Sequence, residues 1–254
     1  VPYKYDDKIL LIGEGNFSFA LGLVKYFQKL KLKYGNKRNS SHANSSTSTD
    51  NINTSNNDAI SNDNNNDTAT TNSNYHDYSN IFATSYDTES EVYAKYPEAK
   101  EIINELKEKN VHVLHSIDAT KLINMKELTD TIKEEKDYAN KNTGNNASGD
   151  DSSDGDDDGK GATSTASNYF NHIVFNFPHT GCGIKDTLQN NRHHQKFLDA
   201  FFKSSIPLLV TCGNYNSKKN GKNNFIENGQ IHITLKKGEP YDSWAVPRVA
   251  RLAV

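Results

Sequence analysis

Five short apolar runs alternate with stretches of helical spacing, and this alternation most narrows the folds open to the chain. The runs are KILLI (8–12), NIFATSYD (80–87), VHVLHSID (111–118), HIVFNF (172–177) and GQIHITL (229–235). Behind the first, Phe17, Ala20, Leu21, Val24 and Phe27 fall at helical spacing. Phe19, Leu23, Tyr26 and Leu30 form a second stripe, which predicts a helix buried on two sides. Behind the second run, Thr88 with Glu91 three residues on is a capping-box signature. Val92, Tyr96, Ala99, Ile103 and Leu106 then repeat at helical spacing, with Pro97 starting or kinking the main segment. A weaker helix is predicted over about 121–137 and another over 191–210, its final turn disturbed by Pro207. Strands alternating with helices predict an α/β fold, an open, mostly parallel sheet with helices on both faces. Ligands of such sheets bind beyond the carboxyl ends of the strands, so the residues after each run are the ones to read.

Composition matters here because it removes two stretches from the fold. Residues 36–80 are dominated by Asn, Ser, Thr and Asp, and residues 140–168 contain no Val, Ile, Leu, Phe, Tyr or Trp. Neither can bury enough apolar surface to offset its conformational entropy, and both are predicted to be disordered insertions. Without them 180 of the 254 residues remain, enough for a single compact domain spanning 1–254. The insertions carry net charges of −3 and −4 against −3 for the whole chain, which leaves the remainder at +4. A mildly basic domain is compatible with an anionic partner such as nucleic acid. Two cysteines, Cys182 and Cys212, make no disulfide framework and suggest a reducing compartment. No apolar run is long enough to span a bilayer, so no membrane partner is expected.

After the first run comes Gly13-Glu14-Gly15-Asn16-Phe17-Ser18. Glycines let the backbone turn tightly and let a ligand approach, and the following helix start offers free N–H groups. A dinucleotide fingerprint would have Gly or Ala where Ser18 stands, and an ordinary turn would look similar. Asp87 ends the second run, where a carboxylate commonly accepts from ribose hydroxyls; it would equally suit a helix start. Asp118 and Ala119 follow the third, where the carboxylate is placed to meet an adenine amino group or to cap a helix. Asn176-Phe177-Pro178-His179-Thr180-Gly181 follows the fourth. An amide, an aromatic ring and a rigid proline at a strand end suit the recognition of a planar base flipped into a pocket. His179, Cys182, His193 and His194 match no familiar zinc spacing, and no metal site is expected.

Taken together, ILLIGEGNFSFAL, ATSYDTESEV, VHVLHSIDATKL, FNFPHTG and IHITLKKGEPYDSW resemble the eukaryotic Rossmann-like family typified by the fungal large-subunit rRNA uridine-N3 methyltransferase. The resemblance implies a class I methyltransferase fold, S-adenosylmethionine as methyl donor, and ribosomal RNA of pre-ribosomal particles as substrate in the nucleolus. By the same resemblance Gly13, Glu14, Gly15, Asn16, Phe17 and Ser18 form the cofactor loop, joined by Asp87, Asp118, Ala119 and Asn176. Asn176–Gly181 would be the methyl-acceptor wall. The family's domain is also fused to a ferredoxin-fold anticodon-binding domain in some animal proteins, so the resemblance does not fix one RNA. A class I fold normally adds a helix and two strands after the PYDSW block, so a C-terminal truncation is expected.

Methyl transfer needs proximity and alignment, and uridine N3 must also lose its proton. On this reading His179 takes that proton, Asn176 holds the base edge and Phe177 stacks on it. Two other readings stay open at the level of sequence: an NAD-dependent oxidoreductase using the same glycine corner, and a non-catalytic RNA-binding module of the same fold.

Overall fold

The computed structural model describes residues 2–35, 77–142, 169–211 and 228–254. In chain order the elements are β1 (Ile9–Ile12), α1 (Ser18–Gly35), β2 (Ile81–Thr84), α2 (Glu89–Lys95), α3 (Ala99–Glu108), β3 (His112–Leu114) and α4 (Lys126–Asn142). They continue with β4 (His172–Asn176), α5 (Thr187–Ser205), β5 (Gln230–Thr234) and α6 (Val246–Ala253). The strands form one sheet in the order β3-β2-β1-β4-β5, and every pair is parallel.

Strand side chains alternate between two faces, and each face builds its own core. In β1, Ile9 and Leu11 join one cluster with Ile81 and Ala83 of β2, while Leu10 and Ile12 join the other with Phe82. Because strands buried on both faces have no polar side, they read as continuous apolar runs. The first cluster is closed by Ala20, Val24 and Phe27 of α1, Val92 of α2 and Ile103 and Leu106 of α3. The second is closed by Leu128 and Ile132 of α4, Leu198 and Phe201 of α5 and Val249 of α6. The expected doubly covered sheet is therefore present, and it is wholly parallel across the described strands.

Local signals explain most element ends. Thr88 accepts from the Glu91 amide while the Glu91 carboxylate accepts from the Thr88 amide, so the capping box forms. The Pro97 region splits the predicted long helix into α2 and α3. Three expectations need correction. The insertion predicted over 36–80 gives way to structure by Asp77: Tyr78 is fully buried, and its N–H donates to the Lys109 carbonyl. Asn80 Nδ2 also bonds the Tyr5 and Asp7 carbonyls, so polar composition there reflects satisfied partners rather than disorder. At the second insertion α4 runs on to Asn142; residues 36–76 and 143–168 lie outside the described residues. Helix α1 is buried along both predicted stripes except at Phe19: Leu23 is 3% exposed, Tyr26 and Leu30 pack partly buried against the core, and Phe19 is 40% exposed. The third strand is also shorter than its apolar run, because Ser116 takes a positive φ and breaks the ladder.

Candidate functional site

The strand order reverses between β1 and β4, and a cavity of about 430 Å³ opens at the carboxyl ends there. It gathers Gly13, Glu14 and Gly15 after β1, Asp87 after β2, Asp118 and Ala119 after β3, and Phe177 and His179 after β4. Eight of the residues singled out by sequence thus share one wall. Asn16, Ser18 and Asn176 do not line it. They line a second, more open hollow of about 450 Å³ with Phe19 and Thr234. Gly13, Glu14, Gly15 and Phe177 border both hollows. Phe17 lines neither: its backbone sits at φ 62°, which turns the ring into the core against His115. Of the expected cofactor loop Gly13–Ser18, Phe17 is thus the residue whose ring faces neither hollow.

The glycine corner has a steric cause. Gly13 adopts φ +68°, and a Cβ there would lie 2.8 Å from Phe175 Cε2. Asn16 braces the corner, accepting from the Ser18 amide at 3.2 Å and donating to Glu98 at 2.9 Å. The Glu14 amide donates to the Thr84 carbonyl, which ties the corner to β2. Glu14 is only 8% exposed, and its carboxylate accepts from the Ala20 amide in the first turn of α1 at 3.3 Å. Burial pushes this carboxyl up to about 7, against the pull of the Ala20 and Phe19 amides toward the charged form.

The other two carboxylates on the cavity wall are ion-paired. Asp87 receives Lys95 Nζ at 2.7 Å. Asp118 accepts from the Thr120 amide and hydroxyl at 2.9 and 2.7 Å and pairs with Lys121 at 3.1 Å. Burial alone would raise Asp118, but those bonds outweigh it and hold the carboxyl below its usual range. Asp118 therefore stays charged at neutral pH, as an acceptor for hydroxyl or amino groups must.

The β4–α5 loop carries the remaining groups. Asn176 Oδ1 accepts from the Thr234 hydroxyl at 2.8 Å, which fixes which end of the amide is the donor. Phe177 takes φ 52° and leaves its ring 55% exposed, an unusual position for so apolar a side chain. His179 Nδ1 accepts from the Gly181 amide at 3.0 Å, so the neutral ring carries its hydrogen on Nε2. Behind His179 the buried His194 ring packs edge-on at 4.9 Å. Its Nδ1–H donates to the Asn190 carbonyl at 3.0 Å. Cys182 Sγ lies 3.2 Å from His193 Nε2. Among the described residues no group of three His, Cys, Asp or Glu side chains is placed to hold a metal ion.

Tyr96 and Phe197 also line the first cavity, and Trp244 supports His194 from behind. In sequence Tyr96 lies on a stripe that predicts a helix core, Phe197 lies within the helix predicted over 191–210, and Trp244 stands out only as part of the PYDSW block. Their spacing signals burial, and nothing local says which buried ring borders a cavity.

Residues 65–253 match the family described as BMT5-like, rRNA (uridine-N3-)-methyltransferase BTM5-like. A 25S rRNA (uridine(2634)-N(3))-methyltransferase of Saccharomyces cerevisiae is 26% identical over 272 aligned positions, covering 99% of this chain and 60% of the yeast protein. An uncharacterized protein of Arabidopsis thaliana is 23% identical over 252 positions, covering 98% of this chain and 72% of its own length. The chain thus spans about three fifths of the yeast relative. No solved structure matches it significantly. With three quarters of its length inside that match and its strand-end residues gathered at the carboxyl end of one sheet, the chain belongs to the BMT5-like family of rRNA (uridine-N3-)-methyltransferases.

Proposed function

We propose that the protein transfers a methyl group from S-adenosylmethionine to N3 of a uridine in large-subunit rRNA. The observation that carries this reading is the exposed Phe177 ring standing on the border between the two hollows. A base stacked there lies beside a cavity lined with charged acceptors, and the family match and the yeast relative agree with that chemistry.

The donor cavity suits the cofactor by size and by donor set. Cavities of about 300–1,000 Å³ hold ligands of this kind. Asp87 would accept from the ribose hydroxyls, and Asp118 and Ala119 would border the adenine. Gly13 and Gly15 allow close backbone approach, since neither has a side chain to fill the space. When bound, S-adenosylmethionine supplies a methyl carbon on a positively charged sulfur, which accepts the N3 electron pair as the carbon–sulfur bond breaks.

The chain's own groups orient the acceptor. With its oxygen held by Thr234, Asn176 presents Nδ2 as a donor to a uracil carbonyl. Phe177 stacks on the ring, a contact worth about 1–3 kcal/mol per base. His179, expected from sequence to take the N3 proton, already has Nδ1 occupied by the Gly181 amide. Its remaining Nε2–H suits donation to a uracil carbonyl, where negative charge gathers once N3 ionises. The matching setting is rRNA of pre-ribosomal particles in the nucleolus. Mass spectrometry of rRNA nucleosides from cells lacking the full-length protein should show loss of N3-methyluridine; unchanged levels would overturn the assignment.

A further inference from the structure

Three acidic residues, Glu14, Asp87 and Asp118, line the cavity proposed for the methyl donor, and two of them are paired with a lysine. Asp87 is paired with Lys95 and Asp118 with Lys121. Glu14 has no ion-pair partner among the described residues, is nearly excluded from solvent, and borders both hollows. We propose that Glu14 is the catalytic proton acceptor, taking the N3 hydrogen of the substrate base across the wall that the donor and acceptor hollows share. This rests on the uridine-N3 reading above.

The step balances within the chain and its substrate. The N3–H bond breaks and leaves its electron pair on N3, while an O–H bond forms on the Glu14 carboxylate. The negative charge moves from the carboxylate to the uracil ring, where the Asn176 and His179 donors meet it. After transfer the carboxylic acid returns its proton to solvent.

Its burial makes the group fit for this role. A carboxyl titrating near 7 is half ionised at neutral pH and is a far stronger base than an exposed glutamate. No charged neighbour contributes to that displacement, which comes from burial alone. The titratable groups around the same cavity are Asp87, Asp118, Tyr86, Tyr96, His179 and Cys182. His179 is the other base among them, and its Nδ1 is engaged. A competing role for Glu14 is the capping of α1 through the Ala20 amide. An amide in its place retains that oxygen acceptor, so Glu14→Gln separates the two roles.

The test uses the full-length protein. In Glu14→Gln, S-adenosylmethionine affinity by calorimetry should stay within about threefold, while single-turnover methylation at pH 7 falls about 10²–10⁴-fold. The wild-type rate should level off above pH 7, whereas the variant rate should keep rising about tenfold per pH unit as N3 ionises by itself. RNA carrying 5-fluorouridine, whose N3 is more acidic, should recover part of the lost rate. Independently of turnover, carbon-13 NMR of the ligand-free protein should place the Glu14 carboxyl midpoint near 7. A midpoint in the ordinary glutamate range overturns the proposal. So does a variant with the wild-type pH profile, or one whose deficit lies wholly in cofactor affinity. A wild-type protein that methylates a different atom overturns the functional reading itself, a result visible before any variant is made.

Discussion

The imidazole of His194 lies almost flat on the indole of Trp244, with ring centroids 3.9 Å apart and planes 7° from parallel. Both rings are buried, and the pair forms the floor beneath His179. Burial first, and then repulsion from the His179 and His193 rings, hold His194 below the usual histidine value of 6.5 despite its bond to Asn190. The folded protein therefore keeps this ring neutral where the unfolded chain has begun to bind a proton.

The sign of the pH dependence follows. This contribution to stability is fully present above pH 6.5 and is lost as the pH falls below that value toward the depressed folded pKa. Buried Glu14, pushed up to about 7, acts in the opposite direction over the same range, so the quantity to follow is the melting temperature of the wild type minus that of His194→Gln, which should decline as the pH falls from 6.5 to 5. His115 and His232, also lowered by burial, and Glu14 are present in both proteins and drop out of that difference. An unchanged slope in that variant would refute the assignment.

Two glycines should respond to alanine with opposite signs. Gly13→Ala places a Cβ 2.8 Å from Phe175 and forces a left-handed backbone on a residue that resists it. The expected cost is about 1–3 kcal/mol, together with loss of cofactor binding. Gly22 lies within α1 where an added methyl would meet nothing within 4 Å. There alanine should stabilise by about 0.4–1 kcal/mol. Urea denaturation of both variants checks the pair.

Thr234→Val removes the hydroxyl that orients the Asn176 amide and leaves the volume of the side chain nearly unchanged. Thr234 borders the acceptor hollow but not the donor cavity. Methylation per encounter with RNA should fall about five- to tenfold, the equivalent of about 1–1.4 kcal/mol, with S-adenosylmethionine affinity unaltered. A loss of cofactor affinity would show that the two hollows are not divided as described.

What sequence revealed and what it hid follows from how far each signal reaches. The Thr88–Glu91 box and the Pro97 break depend on neighbours three or four residues away, and both read correctly. The strand-end rule placed Gly13, Asp87, Asp118 and His179 around one cavity because sheet topology, once guessed, fixes position. Phe17 shows the limit of a motif. Its place in the buried helical stripe was the better guide, and the motif could not reveal the backbone turn that sends its ring inward. Tyr78 was lost among polar residues because one aromatic makes no periodicity. The occupied Nδ1 of His179 depends on an amide two residues away in an irregular loop, where no repeating pattern exists to read.

The sheet's central pairing has a consequence for assembly. β1 pairs with β4 in a register that sets Ile9 against His172, while β1, β2 and β3 are neighbours both in the chain and in the sheet. The β3-β2-β1 half can therefore form through the nearer contacts, and the β1–β4 seam must wait for the most distant ones. Loop-closure entropy must be met before distant contacts reward it, so the wider the sequence separation of a pairing, the longer the search that joins it. Since the cavity is lined by residues that follow both β1 and β4, the site is completed only when that seam closes.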